Sequence, residues 1–206
     1  MRSWSIDAYL ARLAARHPTP AGSAVAALNL AQGAALLTMV AGLRLDPDHA
    51  AGAGTPDVLA RAEGVREAAL RLAEADAGVV DGVAAAYALP RSTGAERARR
   101  SAAIGDALLA AAGPPAELVA VGAELVALCE RMAGAASGTV LGDVAAAADA
   151  AAAALSTSRT NVEADIGSRR GTPEAERLAA AVGPVDDLLR RAADVRDGIR
   201  GTFTRG

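Results

Sequence analysis

The stretch Ala21–Leu43, AGSAVAALNLAQGAALLTMVAGL, decides the fold. It holds no charged residue and no proline, and Asn29 and Gln32 lie near its middle. Its length would let a helix span a bilayer. Alanine and glycine contribute little to insertion, however; only Leu, Ile, Phe and Val clearly favour it. A helix that is apolar all round is equally one buried at the centre of a soluble fold, and that reading is the better one. No membrane partner is therefore expected. The same composition runs outward through the chain, where alanine makes up roughly a quarter of all residues, well above ordinary usage. Alanine has the highest helix propensity, and the strand-favouring aromatics amount to only 2%. The expected fold is all-α. Because alanine buries little area, its helices must pack closely or gain burial from a second copy.

The chain has 206 residues, enough for one domain over 1–206 with a core that needs no staples. Cys129 is the sole cysteine, which excludes an internal disulfide framework and a cysteine-rich zinc site. Lys+Arg total 21 against 24 Asp+Glu, so the basic face of a nucleic-acid binder is absent. None of those basic residues is lysine, which removes Schiff-base and P-loop lysine chemistry. The amphipathic start MRSWSIDAYLARL lacks the apolar core of a signal peptide, and a cytoplasmic location is expected.

Local signals divide the chain into helices. Ile6, Leu10 and Leu13 form a stripe over about Ser5–Arg16, ended by His17-Pro18-Thr19-Pro20. The apolar helix follows to Leu43, then a loop from Arg44 to Gly54 containing Asp46-Pro47-Asp48. Thr55-Pro56-Asp57 opens a long helix that ends near Leu89. Thr93 and Glu96 have the spacing of a capping box for a helix reaching about Ala112. Gly113-Pro114-Pro115 breaks or kinks it, and another helix runs to about Ala133. A further Ala-rich helix covers about Val140–Leu155, and Ser156–Gly171 is polar enough to be helix or loop. Thr172-Pro173-Glu174 opens a last helix with a kink at Gly183-Pro184. The sum is a single up-and-down bundle of long Ala-rich helices.

In such a chain the informative residues are polar ones on apolar stripes. Asp76 has Leu72, Ala73, Val79, Val80 and Val83 as its helical neighbours. A carboxyl there is expected to be buried, with its pKa raised towards the range of a general acid and base. The plainer alternatives are a solvated Asp at the stripe edge or an ion pair with an Arg. Asp143 is similar, but as a first-turn acid it can simply favour its helix dipole. Asn29 and Gln32 share a face and suit packing or register. His17 and His49 lie in expected loops without partners at ligand spacing, so no metal site is expected. Cys129 reads as a packed thiol.

Four blocks of the chain resemble the cyclodeaminase/methenyltetrahydrofolate cyclohydrolase family, which includes the C-terminal half of formiminotransferase-cyclodeaminase. Pro18-Thr19-Pro20 with AGSAVAAL and GAALLTMVAGL is similar to the family's PTPGGGSAAAL…GAALAAMVANL. EADAGVVDGVAAAYALPR, STGAERARRSAAIGDALLAAAGPPAEL and SGTVLGDVAAAADAAAAALSTSRTNVEADI follow in the family's order. The weight rests on Pro20, Asp76, Leu89-Pro90, Arg100, Asp143 and Asn161. The resemblance implies an all-helical homodimer that binds a one-carbon tetrahydrofolate as substrate, with no permanent cofactor. The implied reaction closes 5-formimino-tetrahydrofolate to the 5,10-methenyl form with loss of ammonia, or hydrolyses the methenyl ring. It places the catalytic aspartate on Asp76 and substrate contacts on Pro20, Ala21, Gly22, Ser23, Arg91, Arg100, Asp143 and Asn161. Three departures stand out: Ala21-Gly22-Ser23-Ala24 replaces three glycines and a serine, Arg91 replaces a lysine, and Asp165 replaces an asparagine. A homologue that kept the bundle as a folate-binding or dimeric interaction protein is the alternative, and a purely structural helical module is a third.

Overall fold

The computed structural model describes residues 2–17, 19–44 and 55–204. Pro18 and the expected loop residues Asp46, Pro47, Asp48 and His49 lie outside the described residues. Within them the chain forms α-helices and short 3-10 turns and no strand. In order the helices are α1 (Ile6–Leu13), α2 (Gly22–Arg44), α3 (Thr55–Tyr87), α4 (Gly94–Ala111), α5 (Gly113–Ala135), α6 (Leu141–Asp165), α7 (Pro173–Val182) and α8 (Val185–Thr204).

The apolar stretch that opened the sequence is α2, and it is the central helix. Ala24, Ala26, Ala27, Leu30, Ala34, Leu37, Val40 and Ala41 are among its buried residues, and it packs against α3, α5 and α6. Both α2 and Gly138–Asp165 are long and apolar enough to cross a membrane; here their apolar faces pack within the bundle. α6 runs antiparallel to α2, whereas α5 runs parallel to it, Pro115 lying beside Ser23 and Leu125 beside Gly33. Ser23 at the start of α2 meets Asn161 near the end of α6, while Gly33 in its middle meets Ala147 and Ala150 earlier in α6.

Small residues let these helices approach. At Gly33 an added Cβ would stand 3.0 Å from the backbone oxygen of Ala147 and 3.0 Å from Leu125. The rest of the core is built from Leu125, Leu128, Met132, Leu155 and Leu178, with Cys129 fully buried beside them. Burial pushes the Cys129 thiol up to about 12, so it is inert packing, as expected.

Helix ends follow the local chemistry. Ser5 caps α1 by accepting from the Ala8 N–H, and Thr93 with Glu96 forms the reciprocal capping box of α4 (3.1 and 2.9 Å). Three boundaries differ from the sequence reading. α1 stops at Leu13 rather than Arg16, and α6 continues ten residues past Leu155, to Asp165. The expected kink at Gly183-Pro184 separates two helices, α7 and α8, because proline cannot continue the hydrogen-bond ladder.

The packing yields a paired prediction. Gly33→Ala should destabilise the fold by about 1–3 kcal/mol through overpacking. Gly64→Ala, at an exposed site of α3 with open space around it, should stabilise by about 0.5–1 kcal/mol. Urea titration of both variants measures the two signs.

Candidate functional site

Asp76 projects from the middle of α3 against α2 and α5 and is only 2% exposed. Its neighbours in a closed crevice are Ser23, Ala27, Leu72, Pro114, Pro115 and Leu118. That crevice is too narrow to admit a water molecule. Carboxylate atom Oδ2 of Asp76 is buried without a hydrogen-bond partner. Among the described residues it has no ion pair; the arginines near α3 are used elsewhere. Arg61 bonds Glu124 (2.6 Å), Arg131 bonds Asp57 (2.7 Å) and Arg66 bonds Glu63 (2.7 Å), all at the surface. Burial therefore raises the Asp76 carboxyl above the ordinary range, and only the nearby Ser23 hydroxyl works the other way.

Ser23 is the hub of this arrangement. Asn161 on α6 donates its Nδ2–H to the Ser23 Oγ at 2.9 Å. With that lone pair occupied, the serine proton is left to serve Asp76. Three helices thus supply one amide, one hydroxyl and one buried carboxyl in sequence. The serine that the family pattern places at position 24 has moved one step to 23, and that step turns it towards Asn161, while Ala24 faces the core. A Cβ at Gly22 would meet the Asn161 amide only at 3.7 Å, ordinary contact, so the fold itself does not demand glycine there. Pro20 is buried and Ala21 half-buried just ahead of α2, which puts the whole Pro20–Ser23 turn beside this cluster.

Asp165, which replaces the family's second asparagine, adds a carboxyl near the site, as its place in the family pattern implies. It lies one turn beyond Asn161 on the same helical face. Its carboxyl is pushed up to about 6, first by burial and then by the charge of Asp76.

Arg91 and Arg100 sit elsewhere. They line a surface cleft of about 410 Å³ with Tyr87, Arg97, Ser101 and Ser168. Arg100 donates from Nε and Nη2 to the Tyr87 carbonyl (3.2 and 3.0 Å) and lies 5.4 Å over its ring. Tyr87 stands on the Asp76 face of α3, about 16 Å along the axis. The structure does not bring Asp143 to the cluster: it occupies the first turn of α6, about 27 Å from Asn161 along that helix. Gln32 is exposed on a different groove, and Asn29 is half-buried. Among the described residues no three His, Cys, Asp or Glu side chains are grouped to hold a metal ion.

The formiminotransferase-cyclodeaminase family matches residues 5–182, and the chain belongs to that family. It is 34% identical over 160 residues, 77% of each chain, to the methenyltetrahydrofolate cyclohydrolase of Methylorubrum extorquens. The crystal structure of formiminotetrahydrofolate cyclodeaminase from Thermotoga maritima has the same fold. It superposes with a TM-score of 0.73 at 24% identity, over 96% of this chain and 98% of that one.

The raised Asp165 carboxyl has a consequence for stability. A carboxyl that holds its proton more tightly when folded makes the fold lose stability as pH rises from the ordinary aspartate range, near 3.9, through about 6. Asp165→Asn should therefore be more stable than the parent chain by about 1–2 kcal/mol near pH 8, the difference fading below about pH 4. Urea melts at the two pH values measure it.

Proposed function

We propose that this chain is a one-carbon tetrahydrofolate enzyme that opens or closes the bridge between two folate nitrogens, with Asp76 as its general acid and base. The observation that carries this reading is the buried Asp76 carboxyl, without an ion pair and supported through Ser23 by Asn161, with Asp76 and Asn161 on positions that match the family's pattern. Hydrolysis of a methenyl bridge adds water to the bridging carbon, gives a tetrahedral intermediate and breaks a C–N bond once that nitrogen is protonated. Cyclisation of a formimino group with loss of ammonia passes through the same kind of carbon. Both need a group that takes a proton in one step and gives it back in the next, and a carboxyl with a raised pKa does so near neutral pH.

The crevice at Asp76 is closed, so substrate entry requires the Pro114-Pro115 wall to move away from α2 and α3. Gly113, which has open space around it, sits at the hinge between α4 and α5. The Pro20–Ser23 turn, whose N–H groups open α2, suits a carbonyl or anionic group of the ligand. The arginines of the Arg91/Arg100 cleft suit the carboxylates of the folate's glutamate end. The setting is cytoplasmic, the domain acts as one unit over 1–206, and no permanent cofactor takes part.

The working unit is a homodimer. α1 carries no buried residue, and its stripe residues Ile6 and Leu10 are 78% and 52% exposed. With Trp4, Tyr9, Leu28 and Leu70 they border an apolar groove of about 560 Å³, and the Tyr9 hydroxyl there is buried without a partner. An amphipathic helix leaves such a face open only where another surface covers it. Replacing both Ile6 and Leu10 by Glu should convert a dimer into a monomer in sedimentation-velocity runs; an unchanged sedimentation coefficient would place the interface elsewhere.

Turnover is tested by following loss of methenyl-tetrahydrofolate absorbance, and ammonia release from the formimino compound, above the uncatalysed rates. Asp76→Asn should lower the active reaction by about 10²–10⁴-fold. Wild-type turnover in that variant removes Asp76 from its role, and no acceleration by the parent chain leaves the non-enzymatic binding protein as the reading.

A further inference from the structure

Pro114 and Pro115, which wall in Asp76, lie where α4 passes into α5. Around that junction the helical path is nearly continuous. Ala112 donates to the Leu108 carbonyl (3.0 Å) and Ala116 to that of Ala112 (3.1 Å). Between them Pro114 and Pro115 have no N–H with which to reach the Ala110 and Ala111 carbonyls. Two adjacent rungs of the ladder are missing beside Gly113, which is where a helix bends most easily.

α4 itself is lightly held. Of its 18 residues only Gly105 and Ala111 are buried, against ten of 23 in α5. Side-chain bonds at the surface tie its first half to α3 and the following loop: Arg100 to the Tyr87 carbonyl, and Arg97 to those of Arg91 (3.3 Å) and Ser92 (2.9 Å). The tie to the α6 side comes from Arg169. Its backbone is fixed, donating to the Ile166 carbonyl (2.9 Å) and accepting from the Thr172 N–H (3.1 Å) and Oγ1 (2.8 Å). Its side chain crosses to α4, where Nη2 donates to the Ala102 carbonyl (2.7 Å) and to Asp106 (2.6 Å). Nε is buried against Gly105 without an acceptor, so both of these bonds come from one nitrogen. A Cβ added at Gly105 would stand 2.4 Å from that Nε, and its three nearest neighbours all belong to the Arg169 guanidinium. Asp106 is 73% exposed, so water competes for it and the grip is easily released.

We propose that α4 is a lid over the Asp76 crevice, hinged at Gly113-Pro114-Pro115 and latched by Arg169 as a positioning residue. Release of the latch lets α4 draw Pro114 and Pro115 away from α2 and α3, and its return seals Asp76 from water. The Arg91/Arg100 cleft and the hollow beside Arg169 share Ser101, Gly105 and Ser168, so an anion seated in the cleft adjoins the latch. That the entering molecule is a folate rests on the one-carbon reading; the latch does not.

The test is amide hydrogen exchange of the parent chain, Arg169→Gln, Gly105→Ala and the double variant, read by peptide mass spectrometry. In the parent, residues 94–111 should exchange faster than α2 and α6, through an opening smaller than global unfolding. Arg169→Gln should speed α4 about tenfold further and leave α2 and α6 unchanged. Gly105→Ala should do the same by displacing the guanidinium, although alanine for glycine ordinarily tightens a helix. The double variant should be no faster than either single one, because both remove the same contact. Arg169→Lys, which keeps a charge for Asp106, should recover part of the protection. Equal exchange of α4, α2 and α6 in the parent overturns the lid; variants that speed every helix alike, or whose effects add, overturn the latch. The second readout is methenyl-tetrahydrofolate hydrolysis. A larger open fraction in Arg169→Gln should raise kcat/KM by up to about tenfold without raising kcat, and a kcat/KM that does not rise overturns the gating role. A parent chain without turnover overturns the folate reading instead, and the exchange rates still decide whether α4 is a latched lid.

Discussion

The structure turns on one buried carboxyl. Asp76 is buried, no arginine among the described residues pairs with it, and the crevice around it has no room for solvent. Such a group costs stability unless it is protonated or hydrogen-bonded. The chain supplies only a serine hydroxyl, itself held by an asparagine amide. Selection for stability alone would replace Asp76 with an alanine like those around it. On the proposed reading, the chain keeps an aspartate there for proton chemistry.

The rest of the architecture serves that placement. Ser23, Asp76 and Asn161 sit on three different helices and can be joined by single hydrogen bonds only if the helix axes are close. Alanine and glycine along α2 permit that approach, and Gly33 sets its limit against the backbone of α6. The scarcity of aromatic rings has the same origin: a bulky residue on α2 would push α3 and α6 apart and break the amide–hydroxyl–carboxyl sequence. A folate ring in this site would rest on small aliphatic side chains and backbone rather than on a stacking aromatic, and a second copy covering α1 would add the area that alanine cannot bury.

Much of this was legible in the residues themselves. The Thr93/Glu96 box and the prolines at 56, 90 and 173 carry their boundaries in local chemistry, so those helices fall where expected. The polar run Ser156–Asn161 did not declare itself, because hydroxyl and amide side chains compete for backbone groups and weaken the helical signal. In the fold Thr160 simply bonds back to the Ser156 carbonyl, and burial of Ser158 and Val162 carries the helix on to Asp165. Asp76 was visible from its apolar neighbours alone. Ser23 and Asn161 needed the family pattern, since neither says anything by spacing. Asp165 was legible only as a departure from the family pattern, because a carboxyl at a helix end looks solvated until the partner helix is in place. Asp143, equally conspicuous in sequence, lies five turns away on the same face of α6, a distance that only the tertiary structure reveals.

The central claim is that the one-carbon group of a folate reacts at Asp76. A crystal structure of the chain with 5-formyl-tetrahydrofolate, a stable one-carbon folate, tests it most directly. The account predicts the Pro114-Pro115 wall displaced and the formyl-bearing nitrogen within hydrogen-bond reach of Asp76, about 2.6–3.2 Å. The pterin would lie against the Pro20–Ser23 turn. A ligand bound with its one-carbon group remote from a still-sealed Asp76 would contradict it.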